Sequence, residues 1–423
     1  MRFHRAARRS LFGTSAIALA MILVTGAAAA QTTTGSIRGY VTNKAGAPLN
    51  GATVSARNVS TGVQRFGSSR ENGFYTLPGL TPGPYEVTAK RIGSAVSTQR
   101  VDVGVGVDVA LNIQLGDTAV QLAQVQVVAA APASTRSTEV ATNVSQAQIN
   151  DLPTSSRNFL DLAALAPGTR VPADRLNGQS KEFAAGAQPA EQINVFIDGA
   201  SYKNDIITGG VAGQDASRGN PFPRNAIQEF RIITNNFKAE YQKASSAIIT
   251  AVTKSGTNTW HGGLFTEFQN GSLVAQDTFD VANHVANPQY SRYLVGANVG
   301  GPIVPDKLFF FGSYEGNYQD RTGVTVFNGD TSAFQAPVRA LNGSSHVAPF
   351  RENLGFGKLT YVPNDQQQLE VTGSIRHETD TRGFGGQFGD VWRVFDGGEN
   401  HRDNVYTGTA KHTYFGNDWT NEA

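Results

Sequence analysis

From Leu308 to Tyr318 the chain alternates, residue by residue, between two chemistries. Leu308, Phe310, Gly312, Tyr314, Gly316 and Tyr318 fall on one side of an extended strand, and Phe309, Phe311, Ser313, Glu315 and Asn317 on the other, because successive side chains of a strand point to opposite faces. The split is sharper between Gln368 and His377, where Leu369, Val371, Gly373 and Ile375 oppose Gln368, Glu370, Thr372, Ser374 and Arg376. Such a two-faced ribbon suits a lipid surface backed by a wet lumen, or a half-buried sheet in water. Loop lengths separate the two. Strands are expected over 258–270, 292–300, 307–319, 352–363, 367–378 and 402–414, which leaves intervals that alternate long and short: 271–291, 301–306, 320–351, 364–366 and 379–401. Outer-membrane barrels have that rhythm, with short periplasmic turns and long outer loops. Phe309, Phe310, Phe311 and Tyr414 are then expected to furnish an interfacial aromatic band.

The N-terminus directs the chain to export. Arg2, Arg5, Arg8 and Arg9 precede an apolar stretch from Leu11 to Val24, and Ala28-Ala29-Ala30 precedes Gln31, the pattern of a secretory signal peptide cut between Ala30 and Gln31. Its apolar core of roughly 14 residues falls short of the ~20 that a spanning helix needs. Cleavage removes four of the 35 basic residues and none of the 34 acidic ones, which leaves 31 against 34, about −3. A chain without basic character is not expected to bind nucleic acid. No later window holds a long apolar run, so an exported chain is either soluble or crosses as a closed barrel. The 46 glycines and a charged fraction of only 16% favour strands and turns. The absence of cysteine rules out disulfides, thiolate zinc sites and cysteine nucleophiles.

Between the leader and the alternating third lie two further regions. Short strands such as Ser36–Val41 and Tyr85–Ala89, broken by Asn72-Gly73 and Pro82-Gly83-Pro84, suggest a small sandwich. The wording "GSIRGYVTNKAGAPLNGATVSARN", then "ENGFYTLPGLTPGPYEVTAK", resembles the carboxypeptidase regulatory-like family, which implies a prealbumin-like β-sandwich over 31–118 and no peptidase activity. A linker, 119–137, contains the apolar strand Gln124, Val125, Gln126, Val127, Val128 and Ala129, which has little to bury against and suits addition to a sheet edge. "LAQVQVVAAAP" resembles the TonB box of TonB-dependent receptors, without its usual acidic residues and threonine. The resemblance implies that residues 124–129 pair with TonB, the periplasmic partner energised from the inner membrane. From 138 to 256, helix-like pieces (148–153, 159–166) and the strand from Ile193 to Gly199 read as an α+β module. There "LPTSSRNFLDLAALAPGTRV", "EQINVFIDGASYKND" and "GQDASRGNPFPRNAIQEFRIITNNFKAEYQKASSAIITAVTKSGTN" resemble the plug of Oar-like TonB-dependent receptors. Asp198-Gly199, closing an apolar strand, is first a turn signal and is read as plug architecture.

The expected fold is therefore mainly β: a prealbumin-like sandwich, an α+β plug, and over 257–423 the first strands of what the resemblance implies is a 22-stranded outer-membrane barrel. An open sheet cannot sit in hydrocarbon, so the chain reads as truncated. Catalytic signatures are missing. His377-Glu378 lacks a histidine at Thr381, Gly357-Lys358 lacks the context of a phosphate loop, and the seven histidines are scattered, with His284, His346 and His401 expected in loops. No enzyme, cofactor or metal is expected. The leading function is TonB-driven uptake across the bacterial outer membrane, with lipid around the barrel and the substrate left open. An adhesion or carbohydrate-binding role of the sandwich, anchored by the barrel, is the alternative, and a passive channel is a third possibility that the plug argues against.

Overall fold

The computed structural model describes residues 33–116, 126–127, 138–154, 156–170, 183–204, 211–212, 217–238, 240–275, 278, 281, 289–324, 332–342, 344–382, 399–416 and 419–423. The leader with Ala30 and Gln31 lies outside them. Eight strands build the N-terminal sandwich: β1 (Gly35–Asn43), β2 (Thr53–Asn58), β3 (Gln64–Ser68), β4 (Phe74–Leu80), β5 (Gly83–Lys90), β6 (Ser97–Val103), β7 (Asp108–Ala110) and β8 (Ile113–Leu115). One sheet runs β4-β1-β7 with β8 also on β1, and the other runs β3-β2-β5-β6. Alternate residues of each strand turn inward, so that Ile37, Val41, Val54, Ala56, Tyr75, Leu77, Val87, Ala89, Val101 and Val103 share one apolar core. Tyr75 brings its hydroxyl into that core and donates it to Leu111 O at 2.7 Å, as a buried phenol must.

β9 (Gln126–Val127) adds to this second sheet at β6. The plug follows with β10 (Val140–Val144), β11 (Thr169–Arg170), β12 (Ala184–Ala185), β13 (Ile193–Ile197), β14 (Ala200–Ser201), β15 (Ile227–Asn235) and β16 (Ala247–Thr253). Its sheet has the order β10-β15-β16-β13-β14, with β13 parallel to β16 and the other pairs antiparallel. β13 and β16 are buried along their whole length, which fits their mostly apolar sequences, interrupted by Asn194, Thr250 and Thr253. Helix α1 (Gln146–Asp151) starts on a capping box between Ser145 and Gln148, and a 3-10 helix, Phe159–Leu165, starts on the Asn158 side chain. Phe159, Leu160, Phe222 and Phe230 bind these pieces to the sheet.

The last third is a single antiparallel meander of β17 (His261–Asn270), β18 (Tyr290–Val304), β19 (Leu308–Val324), β20 (Ser345–Asn364), β21 (Gln367–Arg382), β22 (Glu399–Phe415) and β23 (Thr420–Glu422). Its register places Leu264, Ala297, Tyr314, Gly355, Ile375 and Tyr406 side by side in one transverse row. The large side chains of this outer face, among them Leu264, Leu359, Val371, Ile375 and Tyr406, are exposed, the arrangement a lipid-facing wall requires. Connections alternate as the sequence implied, short after β18, β20 and β22 and long after β17, β19 and β21.

Three expectations need correction. Five of the six strands extend past their expected bounds, β20 beginning at Ser345 rather than 352, because ladder pairing continues past the apolar stretch that marked each strand in the sequence, while β17 begins at His261 rather than 258. The inner face of β19 is not wet: Phe309, Phe311, Ser313, Glu315 and Asn317 are buried, and Phe311 joins the plug core. Phe309 and Phe311 thus leave the interfacial band, to which Phe310 and Tyr414 remain available on the other parity, with Trp260 and Trp419 exposed near the same short-turn ends. His346 and His401 sit in β20 and β22 rather than in loops, while His284 lies outside the described residues.

The sandwich is fastened at the short-turn end. Arg65 donates to Asp365 O at 2.9 Å and lies 3.5 Å over the Phe415 ring. Asn258 donates to Thr61 O at 2.7 Å, and Thr33 and Thr34 each donate to Glu422 at 3.3 Å. Against the plug, Val105 N and the Asn143 amide both donate to Glu229 Oε1, at 3.1 and 3.0 Å, and Arg231 donates to Gly106 O at 2.6 Å. Burial pushes the Glu229 carboxyl above the usual carboxylate range, against the lowering pull of these donors and of Arg231.

Two outcomes follow from this packing. A Cβ at Gly39 would stand 1.9 Å from Leu111 O, which is backbone and cannot step aside; Gly39→Ala is expected to cost the sandwich about 1–3 kcal/mol, read as earlier proteolysis of residues 33–116 in a urea series. The raised Glu229 acid favours the docked state at low pH, and that contribution fades as pH rises through its folded value. Protease access to Gly104–Val107 should therefore increase from acid to neutral pH in the parent protein. It should stay level in Glu229→Gln, whose carbonyl still accepts both hydrogen bonds; an equal pH slope in both proteins would assign the effect elsewhere.

Candidate coupling strand and plug–wall interface

Of the six residues expected to meet TonB, two are described. Gln126 and Val127 form β9, parallel to β6, with Gln126 opposite Gln99 and Val127 opposite Arg100. Gln124, Val125, Val128 and Ala129 lie outside the described residues. Addition to a partner's sheet was expected of this stretch; its two described residues instead add to an edge of the chain's own sandwich.

The larger polar site is one that the sequence reading did not single out. In the plug, Ser217, Arg218 and Asn220 press against the inner faces of β20 and β21. The Arg218 guanidinium grips Asp380 through two nitrogens, Nε standing 3.0 Å from Oδ2. Ser217 Oγ donates to Glu378 at 2.7 Å, and Asn220 N donates to Glu352 Oε1 at 2.6 Å. Arg376 ties the wall side together, with Glu378 at 2.5 Å, Asp403 at 3.2 Å and Glu352 at 3.5 Å. Gly219 is required in the middle: a Cβ there would fall 2.1 Å from Glu352 Oε1 and 2.3 Å from Glu378 Oε2. These carboxylates are held by other partners and have little room to retreat. Their signal in the sequence was the spacing Arg376, Glu378, Asp380 at every second position, which stacks three charges on one strand face.

A second junction starts at the Asp198-Gly199 turn. Both residues have positive φ, 50° and 89°, as a two-residue hairpin between β13 and β14 demands. The turn reading is right, and the carboxylate has further work: it accepts from Thr253 N at 2.9 Å and from Thr253 Oγ1 at 2.5 Å, and it meets Lys358 of the wall at 3.4 Å. Lys358 continues to Glu370 at 2.8 Å, Glu370 to Lys411 at 2.6 Å, and Lys411 donates to Thr33 Oγ1 at 3.1 Å. One polar chain thus runs from plug through wall to sandwich. On the opposite flank Arg157 lies 3.6 Å over the Phe265 ring and bridges Glu267 and Glu315, the latter also accepting from Asn225 N at 2.7 Å. Among the described residues no group of three or more histidines and acids is arranged to hold a metal ion.

Comparison with known proteins matches this layout. A family model described as an outer membrane beta barrel domain matches residues 252–339, and one described as a carboxypeptidase regulatory-like domain matches residues 36–116. The TonB-dependent transporter Oar of Myxococcus xanthus is 26% identical, over 85% of this chain and 35% of its own length. Among solved structures, the outer membrane transporter YddB of Escherichia coli aligns with a TM-score of 0.49 at 12% identity, covering 65% of this chain and 37% of that one. A variant of the ferric enterobactin receptor PfeA of Pseudomonas aeruginosa aligns with a TM-score of 0.46 at 13% identity, covering 67% and 39%. The chain spans little more than a third of the length of these proteins. It is an outer-membrane protein that joins a carboxypeptidase regulatory-like domain to strands of an outer membrane beta barrel domain, and it is a homologue of the TonB-dependent transporter Oar.

Proposed function

We propose that the protein, in its full length, is a TonB-dependent importer of the outer membrane, in which residues 124–129 are the strand that TonB engages and the plug is the part that moves. The observation that carries this reading is the plug–wall interface. A plug meant to stay could be sealed by apolar packing, which water cannot reverse cheaply. Here much of the seal is Arg218, Ser217 and Asn220 against Glu352, Glu378 and Asp380, groups that a flooded lumen can solvate once they part. The wall is bathed in outer-membrane lipid, and the leader would be removed between Ala30 and Gln31. The transported substrate is selected by the outer loops, which rise from the long-connection side of the wall.

Two experiments test this. Deleting residues 124–129 from the full-length protein should abolish uptake and capture by the purified periplasmic domain of TonB, while outer-membrane insertion persists; capture that survived the deletion would sink the assignment. Arg218→Ala leaves Asp380 buried without its guanidinium, a change typically worth about 3–5 kcal/mol. We expect the plug to become protease-sensitive at markedly lower urea in that variant, with the barrel band unchanged; an unchanged urea profile would show that this contact does not seat the plug.

A further inference from the structure

The coupling strand does not hang free. Within the proposed coupling function, we infer that the β6 edge of the sandwich is a holding site for it, so that the sandwich and TonB compete for residues 126 and 127. The register is specific: β9 runs parallel to β6, with Gln126 opposite Gln99 and Val127 opposite Arg100, and closes the sheet β3-β2-β5-β6-β9 on that side.

The load path decides between storage and presentation. A partner strand could in principle add to the outer edge of β9 while β9 stays on β6. Tension would then pass through β6 into a sandwich that is fastened to the wall, by Arg65 at Asp365 and Phe415, by Asn258 at Thr61, and by Thr33 and Thr34 at Glu422. The wall is fixed in the membrane, so that pull would be spent on the sandwich anchors. Only a strand released from β6 passes tension onward to Glu139 and β10, the plug's first strand, where Glu139 is paired with Arg231 at 3.0 Å.

Contour length allows the release. Arg231 also holds Gly106 O, so Glu139 and Gly106 share one anchoring side chain. Arg100 and Gly106 are six residues apart, at most about 21 Å of chain, whereas Val127 and Glu139 are twelve apart, up to about 43 Å. The covalent connection is roughly twice as long as the strand it must follow, so β9 can leave β6 before the plug is disturbed. Holding by two ladder residues is weak, and an effect of about tenfold on capture, ~1.4 kcal/mol, is the size to look for.

The 423 residues hold no cysteine, and any cysteine elsewhere in the full-length protein is replaced by serine before the test. Gln99→Cys combined with Gln126→Cys, in the full-length protein in outer-membrane vesicles, should form a disulfide under mild oxidation. The oxidised protein should bind the periplasmic domain of TonB at least about tenfold more weakly than its reduced form, with both single variants insensitive to oxidant. Equal capture in the two redox states would overturn storage in favour of presentation, and failure of the two thiols to join would remove the holding site. Failure of the coupling reading is distinguished by the 124–129 deletion, because a deletion that retains capture shows TonB binding elsewhere whatever the disulfide does.

Discussion

Every strand of the wall must satisfy its backbone inside oil, and that requirement governs the rest of the structure. A ladder such as β19 with β20, paired from Leu308 opposite Tyr361 to Val324 opposite Ser345, removes amide and carbonyl groups that would each cost several kcal/mol if left bare in hydrocarbon. Pairing in turn fixes which parity faces outward. Once Tyr314 and Ile375 point outward, Ser313, Glu315, Arg376 and Glu378 have to point in, and the plug has to answer them. The buried charges at the plug surface are a consequence of strand geometry as much as a choice of chemistry.

The apolar and polar parts are divided by role. Each body has its own hydrophobic core: Ile37, Val54, Tyr75 and Val87 in the sandwich, and Phe159, Phe222, Phe230 and Ile249 in the plug. Joints between bodies are mostly hydrogen bonds and ion pairs, as at Glu229, Arg218 and Asp198. Apolar contact crosses as well, where Phe222 meets Phe356 at 5.2 Å between ring centroids and Phe311 joins the plug core. Apolar cores keep each body intact, and polar joints let water substitute for a neighbour when bodies separate.

Much of this was legible in the sequence because period-two alternation is a local signal. The parity of Leu369, Val371, Gly373 and Ile375 against Glu370, Thr372 and Arg376 could be read directly, and so could the Asp198-Gly199 turn and the alternating loop lengths. What faced the inner parity was not legible. Nothing near Phe309 or Phe311 says that a segment some hundred residues upstream will bury them, so they read as lipid-interface aromatics. The partner of residues 126 and 127 was hidden for the same reason: alternation marks a strand, but the edge that receives it, β6, is chosen by tertiary placement. Strand ends were missed because outside the membrane the ladder persists while the apolar signal stops.

The joints also differ in strength, and the order has a mechanical meaning. β9 is held by a two-residue ladder, a matter of one or two backbone hydrogen bonds worth roughly 0.5–1.5 kcal/mol each. The sandwich–plug junction at Glu229, Asn143 and Arg231 has more bonds, partly exposed to solvent. The plug–wall cluster around Arg218 and Arg376 is buried, and loss of one partner there costs about 3–5 kcal/mol. In the proposed coupling, tension entering at residues 126–127 would meet these in ascending order, so that the weakest element yields first and the seal of the lumen last. A chain built in the reverse order would unseat its plug whenever the sandwich shifted, and the permeability barrier would fail before any partner had been recognised.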